Sequence, residues 1–319
     1  MRYEKAGAER DGGMNQSVAR PGYKRSLDLA RFVAAFGIVW DHARAPYADV
    51  GYTALALFLI LASFLAMGSY ERNGGPGFWA TRAKRIAVPW LFWCAAYRIV
   101  YEVVSDQPFA LLSEPFTLLI GPSIHLWFLP FDMLALLLIP VLSKWLRTPQ
   151  DLMIACLGLI LVALPLGWLH AQIGIAGWFV SLGNAPQPLP QWYYSLPIFL
   201  YGALAAAGHR MGCIWMPLLT ATVISGALLV AAPEFASIQI ILAALVFEAL
   251  WRITITGQWP TKLASFAFGI YLMHPAFMLV AFKLFGPDVD RTAAALFTFF
   301  GAWLGTAIFL RIPALARFC

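Results

Sequence analysis

The chain has 319 residues, of which 61% are hydrophobic and only 12% are charged, with a formal net charge of +6. Soluble domains carry about twice this fraction of charged residues, so the composition excludes an ordinary soluble protein. Apolar runs of about twenty residues recur along the whole chain. Each such run, as an α-helix, is long enough to cross a hydrocarbon core of roughly 30 Å.

The first 24 residues are polar and of mixed charge, and they lack the apolar core of a signal peptide. They are predicted to be a disordered cytoplasmic tail, and residues 25–319 a single transmembrane domain. The apolar runs predict an all-α polytopic membrane protein, a bundle of about ten transmembrane helices. The spans lie at about 27–45, 50–70, 86–104, 125–146, 152–170, 191–207, 212–231, 236–252, 262–282 and 292–311.

Basic residues orient the predicted bundle. Of the 22 Lys and Arg residues, 17 fall in the tail or in connections on one side, four fall on the other, and Arg31 lies inside span one. Because cytoplasmic loops are enriched in Lys and Arg, both termini are predicted to be cytoplasmic. The net positive charge therefore reflects topology in the lipid bilayer, and no nucleic-acid partner is expected.

The first span carries a stripe of ionisable residues. Arg31 and His42 are eleven residues apart, which puts them on one helical face about 16 Å apart along the axis. Asp28, three residues before Arg31, is close enough to pair with it. One interpretation is interfacial, with Arg31 reaching the headgroups while Asp41 and His42 face water. The other is a functional site, because ionisable residues inside membranes are costly.

Three further segments carry side chains that packing alone does not explain. They are Arg82, Lys84 and Arg85 before span three, His125, Trp127 and Asp132 in span four, and Tyr271 and His274 in span nine. The predicted topology puts the basic groups at the cytoplasmic end and the histidines and the aspartate in the outer half. This distribution suits an anionic molecule that enters from inside. The histidines and the four scattered cysteines lack metal-ligand spacing, so no metal site is expected.

These motifs together resemble the acyltransferase-3 family of membrane-bound O-acyltransferases. The resemblance rests on LDLAR followed by the spacing from Arg31 to His42, and on Arg82-x-x-Arg85 followed by Pro89. It also rests on HLWFL at His125 to Leu129 and on GIYLMHP at Gly269 to Pro275. The four motifs occur in the family's order and cover nearly the whole span region. The resemblance implies a ten-span bundle with a cytoplasmic amino terminus.

The resemblance also implies an activity, the transfer of a short acyl group from acyl-CoA to a carbohydrate hydroxyl. Acetyl is the simplest group and succinyl an alternative, with acyl-CoA as a co-substrate and no permanently bound cofactor. The acceptor would be a glycan or lipid-linked saccharide, of exopolysaccharide or O-antigen type. The expected location is a bacterial-type cytoplasmic (inner) membrane.

The same resemblance assigns roles to the residues of the four motifs. His42 would be the base, because imidazole titrates near neutrality. Asp28 and Arg31 would support it. The basic side chains Arg82, Lys84 and Arg85 would hold the CoA phosphates. The acceptor side would be shaped by His125, Trp127, Asp132, Tyr271 and His274.

Two other classes of function remain open at this point. A transporter or flippase of a glycan or small substrate could use the polar stripe as a pathway, although the repeated halves common in such folds are not visible. A non-catalytic membrane component of a glycan assembly complex would also carry spans and polar groups. Release of CoA in the presence of a glycan acceptor separates these alternatives from an acyltransferase.

Overall fold

The computed structural model of the chain describes residues 24–104, 123–173, 189–231 and 233–319, so the predicted tail, apart from Lys24, lies outside the described residues. The helices are α1 Arg25–His42, α2 Ala48–Arg82, α3 Val88–Val104, α4 Phe128–Ala135, α5 Ile139–Trp145, α6 Pro149–Ile173, α7 Leu189–Met211, α8 Trp215–Ala231, α9 Gln239–Arg252, α10 Trp259–Phe285, α11 Arg291–Arg311 and α12 Pro313–Ala316. No strand occurs in the described ranges, which confirms the all-α prediction.

Several of these helical segments can cross a membrane. Five are long and apolar enough, namely Ala48–Val103, His125–Trp145, Phe235–Arg252, Trp259–Phe285 and Arg291–Arg311. Shorter apolar stretches occupy Pro149–Pro165 and Trp215–Ala231. These segments support a multi-pass membrane protein. The count of ten spans and the cytoplasmic position of both termini stay predictions.

The connection between the second and third predicted spans differs from the sequence prediction. The second predicted span ends at about residue 70, but α2 continues as helix to Arg82. Its axis is interrupted at Gly74, whose φ of 67° is open to glycine at little steric cost. A π-helical turn, Ala83–Ala87, then leads into α3. Pro89 has no N–H to donate to the Arg85 carbonyl, which favours this wider turn.

The fourth predicted span is built from four short pieces. A 3-10 turn, Ile124–Trp127, precedes α4, and a second one, Leu136–Leu138, separates α4 from α5. Pro140 cannot donate to the Leu136 carbonyl, so the helix tightens locally at that point. His125 and Trp127 therefore lie on a 3-10 turn at the start of this segment, and Asp132 lies on α4.

The bundle is organised around α1 and α2. Helix α1 packs against α2, α9, α10 and α11, while α2 packs against α5, α7 and α9. Small residues allow these close approaches, as is common between membrane helices. A Cβ added at Gly37 would lie 2.6 Å from Ala54 Cβ, and one added at Gly202 would lie 2.5 Å from the Ile60 carbonyl oxygen.

The helix ends opposite His42 are joined by polar contacts. On α7, Arg210 pairs with Glu71 near the end of α2 and donates to the Leu146 carbonyl at 2.5 Å, just after α5. One residue earlier, His209 Nε2 contacts Glu248 Oε1 on α9 at 2.8 Å. These contacts join α2, α5, α7 and α9 at this end of the bundle.

The α2–α7 contact gives a test of the packing. Replacing Gly202 with Ala would push a methyl group against the Ile60 backbone, which cannot move away as a flexible side chain could. We expect a loss of about 1–3 kcal/mol of stability, seen as a lower thermal unfolding midpoint in detergent. Gly226→Ala on α8 is the control, because a Cβ there meets nothing within 4 Å. Equal midpoints for the two variants would contradict this packing.

Candidate functional site

Three histidines from separate parts of the chain meet in one cluster. His42 is the last residue of α1, His125 lies on the 3-10 turn before α4, and His274 lies in the middle of α10. His42 Nδ1 is 2.7 Å from His274 Nε2, and the two rings stack with centroids 5.0 Å apart. The His125 and His274 rings meet edge to face at 5.2 Å. We call these three residues the histidine cluster.

The protonation of His274 follows from its neighbour Pro275. A helical proline has no N–H, so the Tyr271 carbonyl, four residues earlier, loses its backbone partner. His274 Nδ1 lies 2.7 Å from this carbonyl oxygen, which can only accept a hydrogen bond. The Nδ1 atom of His274 therefore carries the proton, and Nε2 of the neutral ring presents its lone pair.

The protonation of His42 follows in turn. Because His274 Nε2 accepts, His42 Nδ1 must donate the 2.7 Å hydrogen bond between the two rings. A neutral His42 then has an unprotonated Nε2. His274 is fully buried, whereas His42 is only partly buried. The pair thus presents the basic Nε2 atom of His42 at a position that a substrate can reach, and the buried His274 holds the His42 ring in place.

His125 is held by contacts to α3, to α10 and to the start of its own turn. Its Nδ1 lies 2.7 Å from Ser123 Oγ, and its backbone carbonyl accepts a hydrogen bond from the Tyr271 hydroxyl. The Tyr97 ring meets the His125 ring edge on at 5.1 Å, and the Tyr97 hydroxyl donates to the Leu272 carbonyl at 2.6 Å. His125 Nε2 is buried and makes no hydrogen bond with the described residues.

Sequence reasoning missed both Ser123 and Tyr97. Ser123 stands two residues before His125, and Tyr97 directly precedes Arg98 within span three. A polar side chain close to a predicted site residue was the available signal for Ser123. No signal marked Tyr97, because tyrosines are common in membrane helices.

A basic group lies where α2 meets α3. Arg82 ends α2, and Lys84 and Arg85 lie in the π-helical turn. The Arg82 guanidinium sits over the Phe78 ring at 5.1 Å, and it interacts electrostatically with Arg85, Arg31 and Asp132. We call Arg31, Arg82 and Arg85 the arginine cluster. Lys84 is an exposed neighbour of the cluster.

Asp132 links the two clusters. Its side chain is buried on α4, and its Oδ1 makes no hydrogen bond with the described residues. It interacts electrostatically with Arg82 on one side and with the Tyr271 hydroxyl on the other. A line of polar groups therefore runs from the arginine cluster through Asp132 and Tyr271 to the histidine cluster.

Asp28 and Arg31 lie at the opposite end of α1 from His42. Arg31 Nη1 is 4.0 Å from Asp28 Oδ1, as the i, i+3 spacing predicts. Thr261 at the start of α10 donates to Asp28 Oδ2 at 2.7 Å, a partner that sequence reasoning missed. Asp28 thus ties α1 to α10 at one end, while His42 and His274 join the same two helices further along.

Trp127 lies beside the site. Its ring is buried and meets Phe128 at 6.1 Å and Phe131 at 6.2 Å. Phe128 in turn meets the Tyr271 ring at 5.8 Å. Trp127 therefore packs against Phe128, the ring that separates it from Tyr271 and the histidine cluster. No group of three or more His, Cys, Asp or Glu side chains in the described residues, the histidine cluster included, is arranged to hold a metal ion.

A comparison with models of protein families identifies the family of the chain. A family model described as an acyltransferase domain matches residues 24–311, which is most of the chain. The chain belongs to the acyltransferase-3 family. This confirms the resemblance inferred from the four motifs. No curated protein and no solved structure matches the chain.

The match gives the coarse function of the chain. The chain is a membrane acyltransferase, and the motifs at His42, Arg82, His125 and His274 all lie within the matched range. Its described fold brings three of these motifs into the histidine cluster. The fourth contributes Arg82 and Arg85 to the arginine cluster, where they meet Arg31 of the first motif at the other end of the polar line.

The protonation states of this acyltransferase can be measured directly. The protein contains five histidines, few enough for ¹⁵N-histidine labelling and NMR in detergent or bilayers. We expect His42 to be protonated at Nδ1 and unprotonated at Nε2, with the signal assigned by its loss in His42→Ala. His209 is the internal control, because its Nε2 faces the Glu248 carboxylate and should carry the proton. A proton on His42 Nε2 at neutral pH would contradict the geometry of the pair.

Proposed function

We propose that this acyltransferase transfers a short acyl group, acetyl in the simplest case, from cytoplasmic acyl-CoA to a carbohydrate hydroxyl at the outer face of the membrane. The observation that carries the proposal is the line of polar groups that joins the arginine cluster to the histidine cluster. The topology proposed with it is ten spans with both termini in the cytoplasm. The proposed location is a bacterial-type cytoplasmic (inner) membrane.

The arginine cluster is the proposed donor end. Arg31, Arg82 and Arg85 repel one another, and Asp132 is the acidic side chain that acts on Arg82. A bound anion would relieve this repulsion. The planar guanidinium group matches phosphate oxygens with two parallel hydrogen bonds, which suits the phosphates of CoA. Lys84, exposed beside them, would add a further positive charge. Acyl-CoA enters as a co-substrate and leaves as CoA.

The separation of the clusters suits this donor. Arg31 and His42 are three turns apart on α1, about 16 Å by helical rise. An extended pantetheine arm has a comparable reach. The thioester can then meet His42 while the phosphates stay with the arginines, so CoA need not cross the membrane.

The histidine cluster is the proposed place of reaction. His42 Nε2 takes the proton from the acceptor hydroxyl as its oxygen attacks the thioester carbonyl carbon. The new C–O bond forms, the C–S bond breaks, and the CoA thiolate leaves and receives the proton. The charge that His42 carries between these steps is shared through Nδ1–H with His274 Nε2. His274 is thus a positioning residue that also stabilises the charged base.

The carbonyl oxygen needs a hydrogen-bond donor as negative charge develops on it. His125 Nε2 is the buried nitrogen of the cluster that makes no hydrogen bond with the described residues. It is a donor when the Ser123 hydroxyl donates to Nδ1. Tyr271 holds the backbone of His125, and Asp132 and Trp127 bound the same region. These residues form the proposed acceptor side, with a glycan or lipid-linked saccharide as acceptor.

Replacing His42 with Ala tests the proposed reaction. We expect transfer of labelled acetyl from acetyl-CoA to a glycan acceptor to fall by roughly 10²–10⁴-fold, because the general base is lost. His209→Gln is the control, since it keeps a hydrogen-bond donor for Glu248 at a distance from the site. Transfer by His42→Ala at more than a tenth of the wild-type rate would remove His42 from the role of base.

Replacing Arg82 and Arg85 with Gln tests the donor end. Each lost charge-assisted contact is worth on the order of 1.5–3 kcal/mol, which corresponds to roughly ten- to a hundredfold in affinity. Isothermal titration with CoA should therefore show much weaker binding by the double variant. Arg252→Gln, an exposed arginine at the end of α9, is the control. Unchanged CoA affinity in the double variant would contradict the phosphate assignment.

A further inference from the structure

A second polar cluster lies at the same end of the bundle as His42 and outside the site described above. The Tyr194 hydroxyl on α7 donates to Gln239 Oε1 on α9 at 2.5 Å. Gln239 Nε2 donates in turn to the Asp49 carbonyl at the start of α2, at 3.3 Å. These contacts set the Tyr194 ring beside the Tyr52 ring, with centroids 5.6 Å apart. We call Asp41, Tyr52, Tyr194 and Gln239 the outer cluster.

Two groups of the outer cluster have no hydrogen-bond partner among the described residues. The Asp41 residue is only 8% exposed, and its carboxylate forms no hydrogen bond within the described chain. The Tyr52 hydroxyl, which interacts electrostatically with Asp41, forms none there either. Neither group is among the fully buried polar atoms that lack a hydrogen bond. Both therefore stay open to a ligand that donates hydrogen bonds to them.

The outer cluster flanks the base and does not face it. Asp41 and His42 are consecutive on α1, so their side chains point to different sides of the helix. His42 meets α10 through His274, whereas Asp41 lies against the first turn of α2. A Cβ added at Gly51 would lie 3.6 Å from Asp41 Cβ, which shows how closely these two turns approach. A molecule that presents one hydroxyl to His42 can therefore extend its neighbouring part over the outer cluster.

We propose that the outer cluster binds an uncharged saccharide unit of the acceptor, next to the unit that is acylated. The inference rests on the proposed function. Sugar hydroxyls can donate to the Asp41 carboxylate and exchange hydrogen bonds with the Tyr52 hydroxyl. The apolar faces of the two tyrosine rings offer a surface for the carbon face of a sugar ring.

The local charge disfavours an acidic sugar at this position. Among the described residues, one basic group, Arg44, and a second carboxylate, that of Asp49, act on Asp41. A uronic acid placed here would add a third carboxylate in a partly buried region. An uncharged unit avoids this repulsion and can still donate hydrogen bonds to the Asp41 carboxylate.

The experiment compares acceptors and variants of the full chain in detergent with acetyl-CoA as donor. The probes have two sugar units each, so that one can be acylated while the other lies on the outer cluster: the p-nitrophenyl cellobioside, lactoside and maltoside, with the matching glucuronosyl-glucoside, called the glucuronide, as the acidic counterpart. For the best uncharged acceptor, Asp41→Asn and Tyr52→Phe should each raise the acceptor KM, Asp41→Asn by about tenfold or more. Neither should change kcat or the affinity for CoA, because His42 and the arginine cluster are untouched. The glucuronide should be a poor acceptor for the wild type.

Matched controls separate this role from a structural one. Asp288→Asn removes an exposed carboxylate between α10 and α11, and Tyr193→Phe removes a neighbouring hydroxyl on α7; both should keep the wild-type acceptor KM. Tyr52→Phe changes a single oxygen atom, so it remains informative if Asp41→Asn does not fold. An unchanged acceptor KM in a folded variant of either residue, or preference for the glucuronide, would overturn the subsite alone. Wild-type protein that acylates none of the glycosides would instead contradict the proposed function and the subsite with it.

Discussion

The hydrogen bond between His42 Nδ1 and His274 Nε2 is the contact on which the rest of the site depends, because it joins the last residue of α1 to the middle of α10. Pro275 has no N–H, so the Tyr271 carbonyl lacks a backbone donor and accepts a hydrogen bond from His274 Nδ1 instead. His274 Nε2 is therefore unprotonated and accepts the hydrogen bond from His42. The lone pair of His42 Nε2 is thus specified by a proline in another helix. A general base on a membrane helix needs such a fixed partner, since an unpaired imidazole has two tautomers to choose from.

The same use of proline recurs at the arginine cluster. Pro89 cannot donate to the Arg85 carbonyl, which favours the π-helical turn that carries Lys84 and Arg85. Wider turns of this kind are frequent at functional sites, since they present side chains that a regular helix would space differently. Polar groups inside a membrane are expensive, so a chain that buries Asp132, His125 and His274 must give most of them partners. Backbone carbonyls released by helix irregularities are one source of such partners.

The sequence predicted the helices well because long apolar runs have one stable form in a bilayer. It also predicted the pairing of Asp28 with Arg31, which is local to one helix. Contacts between different helices could not be predicted from the sequence. That His274 meets His42, that Ser123 meets His125 and that Thr261 meets Asp28 all depend on how each helix is rotated, and apolar residues on every face leave that rotation undefined. The second span was predicted to end at about residue 70, whereas α2 continues to Arg82, because the helix resumes beyond the interruption at Gly74.

The end of α1 shows how one short segment can serve two purposes. Arg44 and Tyr47 have φ of 55° and 61°, a left-handed backbone that side chains other than glycine rarely adopt. Trp40 Nε1 donates to the Pro46 carbonyl at 2.8 Å and helps to hold this turn. The strain ends α1 directly after His42 and starts α2 close enough to pack on Asp41. Because the base is fixed by α10 and the outer cluster by α2, α7 and α9, changes in acceptor recognition can occur without disturbing the histidine pair.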